Sequence, residues 1–214
     1  MKSQERLVAQ QLLQIKAIKL NPQNPFTWAS GRKSPIYCDN RVVLSFPKVR
    51  SIIQNQLLIT IESFERLDGI AGVATAGIAH GALLADRLNL PFIYIRDKAK
   101  GHGRQNQIEG MLEKGKSYLV IEDLISTGGS SLKAIEALRA AGGKVAGLLA
   151  LFTYGFQEAG NNFEAANCKW KSLSHYDALL AEAVATEYIT EKEHETLSSW
   201  RKNPVKWSEE YEHF

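Results

Sequence analysis

One stretch constrains this chain more than any other. In Tyr118-Leu119-Val120-Ile121-Glu122-Asp123-Leu124-Ile125-Ser126-Thr127-Gly128-Gly129-Ser130-Ser131 an apolar run ends in two adjacent acids, a hydroxyl- and glycine-rich turn follows, and a helical pattern starts at Leu132. A short apolar run without alternation suits a strand buried on both faces. Strand, tight turn and helix together form the repeating unit of an α/β protein with a parallel sheet, and ligands of such sheets sit beyond the carboxyl ends of the strands. Gly128 and Gly129 permit φ > 0, so successive backbone N–H groups can converge on an anion. Thr127, Ser130 and Ser131 add hydroxyl donors, and the following helix adds its N-terminal dipole. The sequence therefore predicts a phosphate cradle. Glu122 and Asp123 cannot touch the phosphate, because like charges repel. They suit sugar hydroxyls, or a Mg²⁺ held through water. The expected ligand is both a phosphate and a sugar.

The flanking chain repeats the alternation. Ile70–Val73, Pro91–Ile95 and Val145–Phe152 read as strands. Ile78–Leu88 and Leu132–Ala141 read as helices, the second stopped by Gly142-Gly143. Upstream, residues 3–20 carry a helical stripe of Leu7, Leu12, Leu13, Ile15 and Ile18, with Ser3 as N-cap. Asn21 to Pro25 breaks it, and short strands are expected around Ser34-Pro35-Ile36-Tyr37. A second helix opens at Pro47 with Val49, Ile52, Ile53, Leu57 and Ile61 on one side. Lys98 to Glu113 is polar and glycine-rich, which reads as a mobile loop. Ser174 to Trp200 reads as an amphipathic helical tail. With no repeat and no low-complexity linker, one domain is expected over 1–214: an N-terminal subdomain at 1–45, a core at 46–160 and a C-terminal helical tail at 161–214.

Composition narrows the function classes. The chain has 214 residues, 44% of them hydrophobic, enough to bury a full core. Its 26 basic and 23 acidic side chains give a net charge of +3, too balanced to argue for a nucleic acid or a membrane surface as partner. Cys38 and Cys168 lack CxxC spacing, so neither a disulfide framework nor a zinc site is expected, and a reducing cytoplasm fits. No apolar run approaches the ~20 residues of a membrane span, and Met1 to Arg6 lacks the apolar core of a signal peptide. Rival motifs fail on single residues. No Lys follows the glycines of the turn, as a P-loop requires. Gly101-His102-Gly103 is followed by Asn106 where the dinucleotide fingerprint needs a third glycine. His194-Glu195 has Ser198 where a zincin needs its second histidine.

Val120 to Ser130 resembles the phosphoribosyl-pyrophosphate signature of the type I phosphoribosyltransferases, and its Ile-Ser-Thr-Gly-Gly-Ser ending resembles the orotate branch. Phe26-Thr27-Trp28-Ala29-Ser30-Gly31-Arg32-Lys33-Ser34-Pro35-Ile36-Tyr37 resembles that branch's orotate-side segment. Arg96 through Lys100-Gly101-His102-Gly103 resembles its catalytic loop. The likeness runs in register over most of the chain, and Gln107 to Gly110 with Phe152 to Gly155 resemble Gram-positive bacterial members. The resemblance implies a twisted parallel sheet flanked by helices, with a small N-terminal hood. It also implies a pentosyltransferase that makes orotidine 5′-monophosphate and pyrophosphate from orotate and phosphoribosyl pyrophosphate, in de novo pyrimidine (UMP) biosynthesis.

Site residues carried over by position form several groups. Arg96, Lys100 and His102 would meet the pyrophosphate, with Lys100 stabilising or protonating the leaving group and His102 beside it. Glu122 and Asp123 would take the ribose hydroxyls, with Asp123 counted among the catalytic residues. Ser126, Thr127, Gly128, Gly129 and Ser130 would clasp the 5′-phosphate, and Leu124 and Ile125 belong to the same binding segment. Ser126 and Lys33 would face orotate. Mg²⁺ is expected on the substrate's pyrophosphate and ribose hydroxyls, without dedicated protein ligands. A homodimer is implied, with the catalytic loop reaching the partner's site. Ala76 and Asp97 stand where other members carry lysines, and Phe152-Thr153-Tyr154 lacks their Asp-Arg pair. Two other readings compete: a purine-base phosphoribosyltransferase, and a non-catalytic regulator that senses phosphoribosyl pyrophosphate. The cations of the 30–35 segment speak against the first, and Lys100 with His102 against the second.

Overall fold

The computed structural model describes residues 2–28, 30–97 and 107–212. They fall into two compact units, residues 1–46 with 174–214, and residues 47–173. In chain order the elements are α1 (Gln4–Gln14), β1 (Ile18–Leu20), β2 (Phe26–Thr27), β3 (Lys33–Ser34), β4 (Ile36–Cys38), a 3-10 turn (Asn40–Ser45), α2 (Pro47–Ile61), β5 (Gly69–Val73), α3 (Ala76–Leu88), β6 (Phe92–Ile95), β7 (Ile108–Glu109) and β8 (Ser117–Ile125). There follow α4 (Gly129–Ala140), β9 (Lys144–Thr153), α5 (Gln157–Ala165), β10 (Trp170–His175), α6 (Tyr176–Ala185), α7 (Glu191–Lys202) and α8 (Pro204–Glu212).

The larger unit is built on a sheet of order β10-β9-β8-β5-β6-β7. Strands β9, β8, β5 and β6 pair in parallel, and β7 runs antiparallel to β6. All of β5 is buried, as is most of β8 and β9. Strands so apolar need cover on both faces, and side-chain alternation shows which helix supplies it. Ala71 and Val73 share a core cluster with Ala134, Ile135 and Leu138 of α4. Gly72 points the other way, toward α3: a Cβ on it would meet the Gly77 carbonyl oxygen at 2.9 Å. Helix α3 rides closest at Gly77 itself, where an added Cβ would fall 2.3 Å from the Ile121 carbonyl oxygen of β8. Only glycine fits there.

The connections set the position of the site. From β5 the chain crosses through α3 to β6 on one side, and from β8 it crosses through α4 to β9 on the other. The strand order therefore reverses between β5 and β8, and a crevice opens beyond their carboxyl ends. Helix α4 begins three residues before the expected Leu132. Gly128, at φ +83°, turns the chain so sharply that Gly129 is already helical, and Leu132 N–H donates to the Gly128 carbonyl at 2.9 Å.

In the other unit, β1 pairs antiparallel with β4 and β2 with β3. The expected helix over 3–20 ends at Gln14, and Ile18–Leu20 is a strand whose outer two residues are buried and whose middle one is exposed. Lys16, at φ +58°, breaks the helix between them. Ser3 caps α1 by accepting from Arg6 N–H, and Val8, Ala9, Leu12 and Leu13 form its buried face. Trp200 is fully buried, with Trp28 edge-on at 5.9 Å and Tyr176 at 5.4 Å. Burial holds the Tyr176 phenol far above its usual range. Glu182 is fully buried and ion-paired with both Lys2 and Arg6. No helix among the described residues is long and apolar enough to cross a membrane.

Candidate active site

Strand β8 delivers its two acids to different environments. Glu122 is 5% exposed and points to the α4 face, where it accepts from Ser131 Oγ at 3.0 Å through Oε2 and from Asp123 N–H at 3.1 Å through Oε1. Burial, and then the charge of Asp123 beside it, pushes the Glu122 carboxyl up to about 8. Asp123 is half-buried and lies on the opposite side of the strand. The tandem acids are therefore one inward and one outward group.

The turn that follows is held from below. Asn162 Nδ2 of α5 donates to the Thr127 carbonyl at 3.0 Å, and Thr153 Oγ1 of β9 donates to the Ile125 carbonyl at 3.1 Å. Gly128 packs on Phe163, whose ring a Cβ would meet at 2.8 Å. Of the two, Gly128 alone takes positive φ; Gly129, expected to share that role, is an ordinary first residue of α4, where an added Cβ would meet only Thr127 Oγ1, at 4.0 Å. Ser126 and Thr127 are half-buried, and Gly129 and Ser130 are exposed. Ser131 was expected to donate to the phosphate. Instead it is 1% exposed and gives its proton to Glu122, because the third residue of the helix faces the sheet rather than the cradle.

Two helices present open N-termini at this end of the sheet. Neither Gly128 before α4 nor Thr75 before α3 supplies a side-chain cap, and neither helix carries an acid in its first turn. The leading amides of both remain available to anions, reinforced by the helix dipoles. The strands that feed them, β8 and β5, are adjacent. This end of the sheet thus offers two uncapped helix N-termini, with Asp123 facing outward beside them and Glu122 buried behind it.

Arg96 ends β6 on the same side. Its guanidinium pairs with Glu109 at 3.4 Å, and Gln107 Nε2 donates to the carbonyls of Arg96 and Asp97 at 3.2 and 3.1 Å. These contacts tie residues 96–97 to residues 107–109. A small cleft of about 20 Å³ beside them is lined by Ala74, Arg96, Asp97, Ser130 and Lys133 among others. Lys100 and His102 lie outside the described residues. Lys33 belongs to the smaller unit, where its Nζ donates to Thr27 Oγ1 at 2.9 Å and its N–H to Ser208 Oγ at 2.9 Å. Asn162, Thr153 and Phe163, which shape the turn, carry no local signal in the sequence; they meet it only through the fold. The described residues hold no cluster of three or more His, Cys, Asp or Glu. The oxygen donors at the strand end are of the hard type that suits Mg²⁺, and a substrate would have to supply most of its six.

A switch-point crevice with two uncapped helix N-termini beside a tandem acid pair is of the kind that suits a phosphorylated sugar. Residues 49–178 match the family model of the phosphoribosyl transferase domain, and the chain belongs to that family. Its relatives narrow the class to a particular member. The chain is 54% identical over 204 residues to an orotate phosphoribosyltransferase of Listeria monocytogenes, covering 95% of this chain and 98% of that protein. It is 53% identical over 208 residues to an orotate phosphoribosyltransferase of Bacteroides fragilis, covering 97% and 98%. The likeness thus extends beyond Gram-positive bacteria. Among solved structures, orotate phosphoribosyltransferase from Aeropyrum pernix superposes with a TM-score of 0.74 at 30% identity, covering 86% of this chain and 99% of that one. Leishmania donovani UMP synthase superposes with a TM-score of 0.80 at 25% identity, covering 92% of this chain and 42% of that longer one.

Proposed function

We propose that this chain is an orotate phosphoribosyltransferase, a pentosyltransferase that moves ribose 5-phosphate from phosphoribosyl pyrophosphate to orotate and so serves UMP biosynthesis. The observation that carries this reading is the pairing of two uncapped helix N-termini, at α3 and α4, with Glu122-Asp123 between adjacent strand ends. A sugar bearing an anion at each end matches that arrangement, whereas a mononucleotide offers only one. The likeness to named orotate enzymes supports orotate as the acceptor.

In the reaction, the bond from the anomeric carbon to pyrophosphate breaks and a ring nitrogen of orotate takes its place. Positive charge grows on the ribose and negative charge on the leaving group. Ser126, Thr127, Gly128, Gly129 and Ser130 hold the 5′-phosphate, with Leu124 and Ile125 leading the chain into that turn. Glu122 and Asp123 bind the ribose hydroxyls, and Asp123 flanks the developing cation. Arg96, Lys100 and His102 stabilise the pyrophosphate, with Lys100 the principal group at the leaving oxygen. Ser126 and Lys33 contact orotate. A Mg²⁺, expected to be carried by the substrate's own pyrophosphate and ribose oxygens without dedicated protein ligands, would offset the leaving group's negative charge. Loop closure excludes water that would otherwise hydrolyse the sugar ester. The enzyme works as a homodimer whose loop serves the partner's site, and it resides in the cytoplasm, where its two cysteines, neither in a disulfide, stay reduced.

Orotate consumption followed by absorbance, with phosphoribosyl pyrophosphate and with or without Mg²⁺, tests the reading. Turnover with adenine or hypoxanthine but not orotate would replace it with a purine enzyme, and phosphoribosyl pyrophosphate binding without any turnover would replace it with a sensor. Lys100→Ala should lower kcat by about a thousandfold while phosphoribosyl pyrophosphate binding is largely kept. If the loop crosses between subunits, mixing Lys100→Ala with inactive Asp123→Asn restores activity in the hybrid dimers. If it stays at home, the mixture stays inactive.

A further inference from the structure

The segment after β8 carries four hydroxyls, at Ser126, Thr127, Ser130 and Ser131, and the last is turned inward. Ser131 is 1% exposed, and its Oγ donates to Glu122 Oε2 at 3.0 Å while Asp123 N–H holds Oε1 at 3.1 Å. A glutamate side chain has three rotatable bonds. A donor on each oxygen fixes both its reach and the plane of its carboxyl group. In either protonation state the carboxyl keeps hydrogen-bonding capacity beyond these two contacts, which leaves room for a ligand. One donor comes from the strand end and the other from the first turn of α4, the same turn whose amides face the phosphate.

We propose that Ser131 is a positioning residue for the sugar: it holds the Glu122 carboxyl in one orientation toward the ribose hydroxyls and fixes that orientation relative to the phosphate cradle. This rests on the phosphoribosyl-transfer reading above. It gives Ser131 a task distinct from that of its neighbours, which face the phosphate directly. Ser131 touches no reacting atom, and its effect passes through Glu122. Burial makes the arrangement sensitive, because removing one partner of a hydrogen bond in a dry site leaves the other unsatisfied.

The test uses steady-state kinetics with calorimetric binding of phosphoribosyl pyrophosphate on the full chain. Ser131→Ala should raise the KM for phosphoribosyl pyrophosphate roughly tenfold, with kcat within about twofold and the KM for orotate unchanged, the split expected when a sugar contact is lost equally from ground and transition states. Ser131→Thr, which keeps the hydroxyl, should recover most of the loss. In a Glu122→Ala background the Ser131→Ala change should leave the phosphoribosyl pyrophosphate Kd unaltered, because the group it positions is gone. An unchanged KM in Ser131→Ala, or the same loss of affinity with and without Glu122, overturns the proposal. Wild-type protein that turns over no orotate overturns the functional reading, and this proposal with it.

Discussion

After β5 the chain turns through Ala74-Thr75 into α3; after β8 it turns through Ser126-Thr127-Gly128 into α4. Both turns lie at the same end of adjacent strands, and both open onto a helix without a side-chain cap. They use glycine for different purposes. In the first, Gly77 lets a helix approach a strand so closely that a methyl group would overlap the Ile121 carbonyl. In the second, Gly128 supplies a left-handed residue over Phe163, and at Gly129 an added Cβ would clash with nothing, its nearest neighbour being Thr127 Oγ1 at 4.0 Å. The first glycine serves packing, the second serves backbone conformation, and the third has no structural need behind it. A glycine with no structural need, at the mouth of a cradle, is where a ligand's own volume is to be sought.

Substitutions break the comparison in that order. Gly77→Val should be the most damaging to the fold, costing about 3 kcal/mol as the helix is forced off the sheet. The urea midpoint reads this, and an unchanged midpoint would mean that the close approach carries no weight. Gly128→Ala should cost about 2 kcal/mol, from positive φ and the displaced Phe163 ring, and phosphoribosyl pyrophosphate affinity should fall with it. Gly129→Ala should leave stability within about 0.5 kcal/mol, yet weaken phosphoribosyl pyrophosphate roughly tenfold in calorimetry. If affinity survives, the space over Gly129 is not the ligand's.

A titration separates the two turns as well, since only the strand that leads into the second carries a buried acid. Folded, Glu122 keeps its proton from the ordinary value of 4.5 up to about 8, a range in which the unfolded chain has lost it. The folded state binds more protons across that window. Stability is therefore greatest below it and declines as pH rises through it. Between pH 5 and 8 the wild-type melting temperature should fall by roughly 10 °C relative to Glu122→Gln. Parallel curves for the two proteins would show that the carboxyl is ionised throughout.

Much of the sheet unit is legible in the residues. Ile70 to Val73, Pro91 to Ile95 and Val145 to Phe152 each fall within one or two residues of β5, β6 and β9. Apolar runs between turn residues are local signals, and parallel strands buried on both faces give them strongly. The helix ends were harder to read: α4 starts before its apolar pattern does, because its first turn is polar on purpose. Short strands escaped too. Ile18–Leu20 looked like the end of a helix and became a strand only by pairing with Ile36–Cys38, a contact with no local trace. Helix α5 and strand β10 were not anticipated, although Asn162 of α5 holds the turn of the site.

By itself the sequence determined the order of strand, acid pair, turn and helix, and with it the kind of ligand, because turn chemistry and apolar periodicity act over a few residues. Only the tertiary structure decided which acid is buried, which hydroxyl serves it and which glycine is required. Burial, and the proton affinity that follows from it, depends on what packs against a residue from elsewhere in the chain. Ser131 makes the point: four hydroxyls look alike in the sequence, and the helix that packs on the sheet turns this one toward Glu122.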